Sequence, residues 1–138
     1  MRMLMLASLM SLVTGCAAAN LSCPESINEV PSLQDTPSPW TPLVEQGSRH
    51  LDQVAVYFGH PNQRGAQVPD RSLKNKVEET VIWGVSASGG GQYWVGCSYV
   101  GTTALLITQV ASSARECRAQ YTLLPTGKRL KLRAFTCE

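Results

Sequence analysis

Two histidines, ten acidic residues and five cysteines are the side chains from which this chain of 138 residues could build a reactive centre. His50 and Asp52 stand two apart, so an extended strand would project both from one face, as a base and its orienting carboxylate require. No third group accompanies them. Ser86 and Ser88 lie in Gly84-Val85-Ser86-Ala87-Ser88, which lacks the closing glycine of a nucleophile elbow. Glu78 and Glu79 are adjacent, and alternation sends them to opposite faces, unlike the paired carboxylates that flank a glycosidic bond. Neither His50 nor His60 lies near a cysteine in sequence, and no Cys-x-x-Cys pair exists, so zinc-ligand spacing is missing. Glycine loops for phosphate or dinucleotide are missing too. The sequence therefore predicts a protein that is not an enzyme, with no catalytic residue, no metal and no cofactor.

The cysteines instead point to export. Arg2 precedes an uncharged run through Val13 of about ten residues, far short of the roughly 20 that cross a bilayer but suited to a secretory signal. Val13-Thr14-Gly15-Cys16 resembles the lipobox of bacterial lipoproteins, which implies a signal peptide over residues 1–15 and a lipid on Cys16. Ala17-Ala18-Ala19 offers ordinary signal peptidase the alternative of cleavage after residue 19. The lipobox is the favoured site, because Cys16 has no other evident task. Residues 16–22 then form a tether and residues 23–138 a single β domain. Ala17, following the cysteine, implies by the same resemblance a periplasmic protein anchored to the outer membrane; the alternative is a soluble periplasmic one.

Cys23, Cys97, Cys117 and Cys137 remain, an even set in an exported chain, and read as two disulfides with three connectivities open. The expected pairs are Cys97–Cys117, joining neighbouring strands, and Cys23–Cys137, tying the two ends together.

Six segments fit the strand template: 51–58, 77–86, 92–100, 102–110, 116–124 and 128–137, separated by Gly, Pro, Asn and Ser breakers. Ile27–Leu33 is a candidate edge strand. Pro24, Pro31, Pro37, Pro39 and Pro42 exclude a central strand or long helix from this region, and Asp35-Thr36-Pro37-Ser38-Pro39-Trp40 reads as an extended cover with Trp40 as its expected anchor. Residues 64–76 are polar and turn-rich, a connection. The expected fold is all-β, a small antiparallel sandwich or barrel of about six or seven strands paired largely in sequence order.

Composition narrows the partner. Charged residues are 16% and the net charge is +2, too little basic excess for a nucleic-acid binder. Hydrophobic residues at 43% suffice for a packed core, and 11 Gly with 8 Pro exclude collagen-like and low-complexity chains.

Three stretches could meet a partner. In Tyr93-Trp94-Val95-Gly96-Cys97-Ser98-Tyr99, alternation places Tyr93, Val95, Cys97 and Tyr99 on one face and Trp94, Gly96 and Ser98 on the other. Trp83 on the preceding strand is expected beside Trp94 as a cross-strand pair. Ser86, Ser88, Gln92 and Tyr93 belong to a glycine-rich loop that resembles the Ser-Gly-Ser-Gly-Ala-basic-Tyr loop of periplasmic c-type lysozyme inhibitors. Here it is one residue longer, and Gln92 stands where a cation is wanted. Arg129, Lys131 and Arg133 alternate with Leu130, Leu132 and Ala134, giving one basic face that suits an acidic partner or discourages edge-to-edge pairing.

The order Cys23-Pro24-Glu25-Ser26-Ile27, Trp40, Phe58-Gly59-His60-Pro61, Val68-Pro69-Asp70, Trp94-Val95-Gly96-Cys97-Ser98-Tyr99-Val100-Gly101-Thr102 and Cys117 resembles a family of small exported proteobacterial envelope proteins of unassigned function. The resemblance implies an envelope address and structural cysteines, and brings no active site. A disulfide-stapled β domain without catalytic groups suits a protein partner, because rigid loops bind with little ordering cost. The expectation is a non-enzymatic periplasmic binding protein, an inhibitor or immunity-type protein that blocks a hydrolase or toxin attacking the cell wall. The alternatives are a structural or assembly accessory lipoprotein of the outer membrane and a c-type lysozyme inhibitor using the 86–93 loop.

Overall fold

The computed structural model describes residues 21–63, 65–86 and 92–138. The expected signal peptide, Cys16 and Ser88 lie outside them. Among the described residues eight strands form: β1 (Ser26–Glu29), β2 (Gly47–Phe58), β3 (Arg71–Lys74), β4 (Glu78–Gly84), β5 (Tyr93–Tyr99), β6 (Leu105–Gln109), β7 (Glu116–Leu123) and β8 (Arg129–Cys137). They make two four-stranded antiparallel sheets, ordered β1-β2-β5-β6 and β3-β4-β7-β8. The all-β expectation holds.

Pairing is less local than expected. The connections β2–β3, β4–β5 and β6–β7 each cross between sheets, so β4 pairs with β7 and β5 with β2. Trp83 and Trp94 therefore sit in different sheets rather than side by side. β3 was unexpected: Arg71-Ser72-Leu73-Lys74 is exposed throughout and carries no apolar alternation, so only its ladder with Ile82–Glu79 of β4 makes it a strand.

The two inner faces meet through Val54, Val56, Val95 and Tyr99 of the first sheet and Val81, Trp83, Ala119, Tyr121 and Phe135 of the second. Alternation along β5 is as expected, with Val95, Cys97 and Tyr99 buried. Trp83, 5% exposed, donates its indole N–H to the Gln67 carbonyl at 3.2 Å, which keeps a polar atom satisfied at the core edge. The β7–β8 hairpin turns at Gly127, whose φ of 79° favours glycine, and Lys74 Nζ donates to its carbonyl at 2.8 Å.

The disulfides are Cys23–Cys97 and Cys117–Cys137, which corrects both expected pairings. Cys97 and Cys117 lie on β5 and β7, in different sheets. Cys117 and Cys137 are instead direct cross-strand partners next to the hydrogen-bonded pair Glu116–Glu138. They occupy a non-hydrogen-bonded position, where side chains approach most closely, with Cα atoms 4.0 Å apart. Cys23 lies just before β1 and folds over the inner face of β5. Tyr99 reinforces this, its hydroxyl donating to the Pro24 carbonyl at 3.0 Å, and burial pushes that phenol's pKa up. Leu21 and Ile27 pack on the core alongside. Trp40, expected to anchor the proline-rich stretch, is 75% exposed.

Candidate functional site: an uncharged face of the first sheet

β8 does not present the single basic face expected from its alternation. Register shifts make Leu130 and Arg133 extra residues opposite β7, so the pattern of sides breaks twice within one strand. Arg129 turns over the Tyr121 ring, 4.2 Å from its centre, and forks onto Glu79, Nε to Oε2 at 2.8 Å and Nη2 to Oε1 at 3.2 Å. Ser72 Oγ donates to the same carboxylate at 2.8 Å. Arg129 chiefly, then Ser72, hold the Glu79 pKa down to about 2 against the opposing effect of burial. Arg133 pairs with Glu78 at 2.6 Å, and Lys131 is exposed beside Thr122. On the same sheet, Arg71 and Arg118 both reach Glu116 and lower its pKa, Arg118 more strongly. The charges of the second sheet are largely spent on one another.

The first sheet differs. Register places Ala55 and Tyr57 of β2, Trp94, Gly96 and Ser98 of β5, and Leu105, Ile107 and Gln109 of β6 on its outer face. Gly96 lets this face close: a Cβ there would stand 2.9 Å from Tyr57 Cε2 and 3.1 Å from Leu105 Cδ1. The Tyr57 ring and the Leu105 side chain therefore both occupy the space over the glycine. His60, just beyond β2, packs edge-on against Trp94 with centroids 4.7 Å apart, and its Nδ1 lies 2.6 Å from Asn62 Oδ1. On the opposite side of the same strands, Phe58 and Tyr93 form an edge-to-face pair at 5.2 Å. Leu105, Leu106 and Ile107 are 40%, 41% and 38% exposed, and every residue of β6 is open to solvent. An exposed apolar patch bordered by polar residues is the usual mark of a protein-binding surface.

Of the described sequence-predicted partner residues, Gln92 and Tyr93 adjoin this sheet and the others do not. Tyr93 opens β5 and is half-buried; Gln92, exposed, accepts the Gly59 N–H at 2.8 Å; Ser86, also exposed, ends the described part of the loop. Arg129, Lys131 and Arg133 lie on the other sheet. Leu105, Ile107 and Tyr57 were missed, because apolar alternation does not tell an exposed face from a core face. His50 and Asp52 gain no third group: both are exposed, and Asp52 is the extra residue of a bulge between Leu51 and Gln53. Among the described residues no cluster of three or more His, Cys, Asp and Glu could hold a metal ion, and no helix is long and apolar enough to cross a membrane.

Comparison with known proteins gives two findings. Residues 46–138 match the model of a family described as Type VI secretion system Tli immunity protein. An uncharacterised 16.3 kDa protein from the trpG 5′ region of Azospirillum brasilense is 27% identical over 126 residues, covering 84% of this chain and 81% of that protein. No solved structure matches the chain.

Proposed function

The chain belongs to the type VI secretion system Tli immunity protein family, and on that premise we propose that it neutralises a delivered toxin by binding it directly, without catalysis of its own. The observation that carries the mode of action is the contrast between the sheets. The second sheet has paired its arginines internally, whereas the first offers Tyr57, Trp94, His60, Leu105 and Ile107 to solvent with no charge among them. Aromatic anchors in a patch free of charge are the composition of a protein-interface core. Two disulfides hold this surface on a preformed scaffold, which limits the entropy lost on binding.

The export signal read from residues 1–15, with lipidation of Cys16, supports a location at the periplasmic side of the envelope. The toxin it meets there is an enzyme that attacks the envelope, the cell wall being the target expected from sequence. Deletion of the gene should leave a strain sensitive to its own type VI-competent parent, and a plasmid copy should restore survival. The damage in unprotected cells identifies the target, soluble peptidoglycan fragments for a cell-wall enzyme and free fatty acid for a lipid-directed one. Equal survival with and without the gene would remove the immunity assignment.

A further inference from the structure

The sandwich has four sheet edges, β1, β6, β3 and β8, and three of them are guarded. β1 is only four residues long, β3 carries Arg71 and Lys74, and β8 carries basic residues and two register shifts. Short edges, charges and bulges are the devices that stop a foreign strand from pairing. β6, five residues long, carries neither a charge nor a bulge. From Ser98 to Ala114 the chain contains no charged residue and no proline.

The register identifies the free groups. Val110 N–H donates to the Tyr93 carbonyl at 2.9 Å, so Val110, Thr108 and Leu106 exchange hydrogen bonds with β5. The N–H and C=O of Leu105, Ile107 and Gln109 therefore point away from the sheet, a template for another strand. Below this edge, on the inner side of the sheet, lies a cavity of about 280 Å³ bounded by Leu21, Val95, Cys97 and Leu106. It is smaller than a typical ligand pocket but roomy enough for an apolar side chain.

We propose that the toxin docks by adding a strand to the β6 edge: an extended, uncharged segment whose backbone pairs with Leu105, Ile107 and Gln109 and whose inward apolar side chain enters the cavity beside Leu106. This rests on the immunity assignment and specifies how it operates. The occupant is uncharged because a charge there would lose hydration with no counter-ion from this edge. Backbone pairing supplies affinity, and the cavity selects the side chain that faces it.

Proline lacks the N–H and is tolerated on an edge strand, so Ile107→Pro and Gln109→Pro remove outward donors while leaving the β5 ladder. Strains lacking the gene and carrying wild type, I107P, Q109P, I107V or K131E would face the type VI-competent parent. Retained disulfides and expression would be checked on non-reducing gels, and the purified proteins sized by light scattering. Each proline variant should lose at least tenfold of the protection, while I107V and K131E protect like wild type. If neither proline variant folds, I107K, which keeps the backbone intact, must show the loss. Folded edge variants that protect fully overturn the strand-addition proposal alone, as does loss of protection in K131E only. A wild-type dimer that I107P splits into monomers assigns the edge to a second copy instead and also overturns it. Failure of wild type itself to protect removes the immunity assignment.

Discussion

Arg129 and Glu79 meet through two hydrogen bonds although their strands are not neighbours; the guanidinium crosses β7 over the Tyr121 ring to make them. A charge held on both sides and stacked on an aromatic face is not free for a partner. This contact removes one cation of β8, the most basic strand, from the solvent-facing set and supports the proposal that the partner is met by the other sheet.

The pair also predicts an acid dependence. Because folding lowers the Glu79 pKa from 4.5 to about 2, its contribution is complete above pH 4.5 and disappears as pH falls toward 2. Arg129 is 44% exposed, so the pair is worth about 1–2 kcal/mol at neutral pH. Urea melts should show Glu79→Gln less stable than wild type by that amount at pH 7, with the two curves converging near pH 2. A difference that stays constant with pH would contradict the assignment.

The disulfides make separable contributions. Cys23–Cys97 spans 74 residues and Cys117–Cys137 spans 20, which in the chain-entropy model is about 4 and about 3 kcal/mol. Paired serine variants should lower the denaturant midpoint in that order. Loss of Cys23–Cys97 alone should release residues 21–24 from the cavity, seen as added protease sensitivity near Pro24. Peptide mapping without reduction that links Cys97 to Cys117 would overturn the pairing.

Trp83 and Trp94 should behave oppositely. Trp83→Ala empties a buried site and removes a hydrogen bond, costing about 3–5 kcal/mol. Trp94→Ala, on a half-buried outer face, should cost about 1 kcal/mol or less yet weaken toxin binding at least tenfold. Thermal melts and a binding titration on each variant separate the two roles.

Gly96→Ala should be costlier than a surface alanine. Its methyl would displace the Tyr57 ring and the Leu105 side chain from the space over residue 96, for about 1–3 kcal/mol. A melt unchanged from wild type would mean that the outer face of the first sheet is looser than its packing implies.

Much of the scaffold was legible in the sequence, and the limits have physical causes. Val95, Cys97 and Tyr99 could be assigned to the core because β5 alternates without interruption. β8 could not be read that way, since Leu130 and Arg133 each shift the register and alternation assumes that no residue is extra. Cysteine pairing failed for a related reason. Cys97 and Cys117 were expected on neighbouring strands, but the β6–β7 connection crosses the sandwich and puts them in different sheets, leaving Cys117 opposite Cys137 on the β7–β8 hairpin. The β6 surface was hidden by its own composition, because Leu105-Leu106-Ile107 looks like core and only its position at an unpartnered edge exposes it.

Direct inhibition is the most immediate test of the central claim. The toxin recovered from the same strain's type VI secretions would be titrated with the purified protein while its hydrolytic rate is followed. The account predicts a linear fall to zero rate at one equivalent, with the endpoint unreachable by Trp94→Ala at the same concentration. Undiminished turnover at a tenfold excess of the wild-type protein would contradict it.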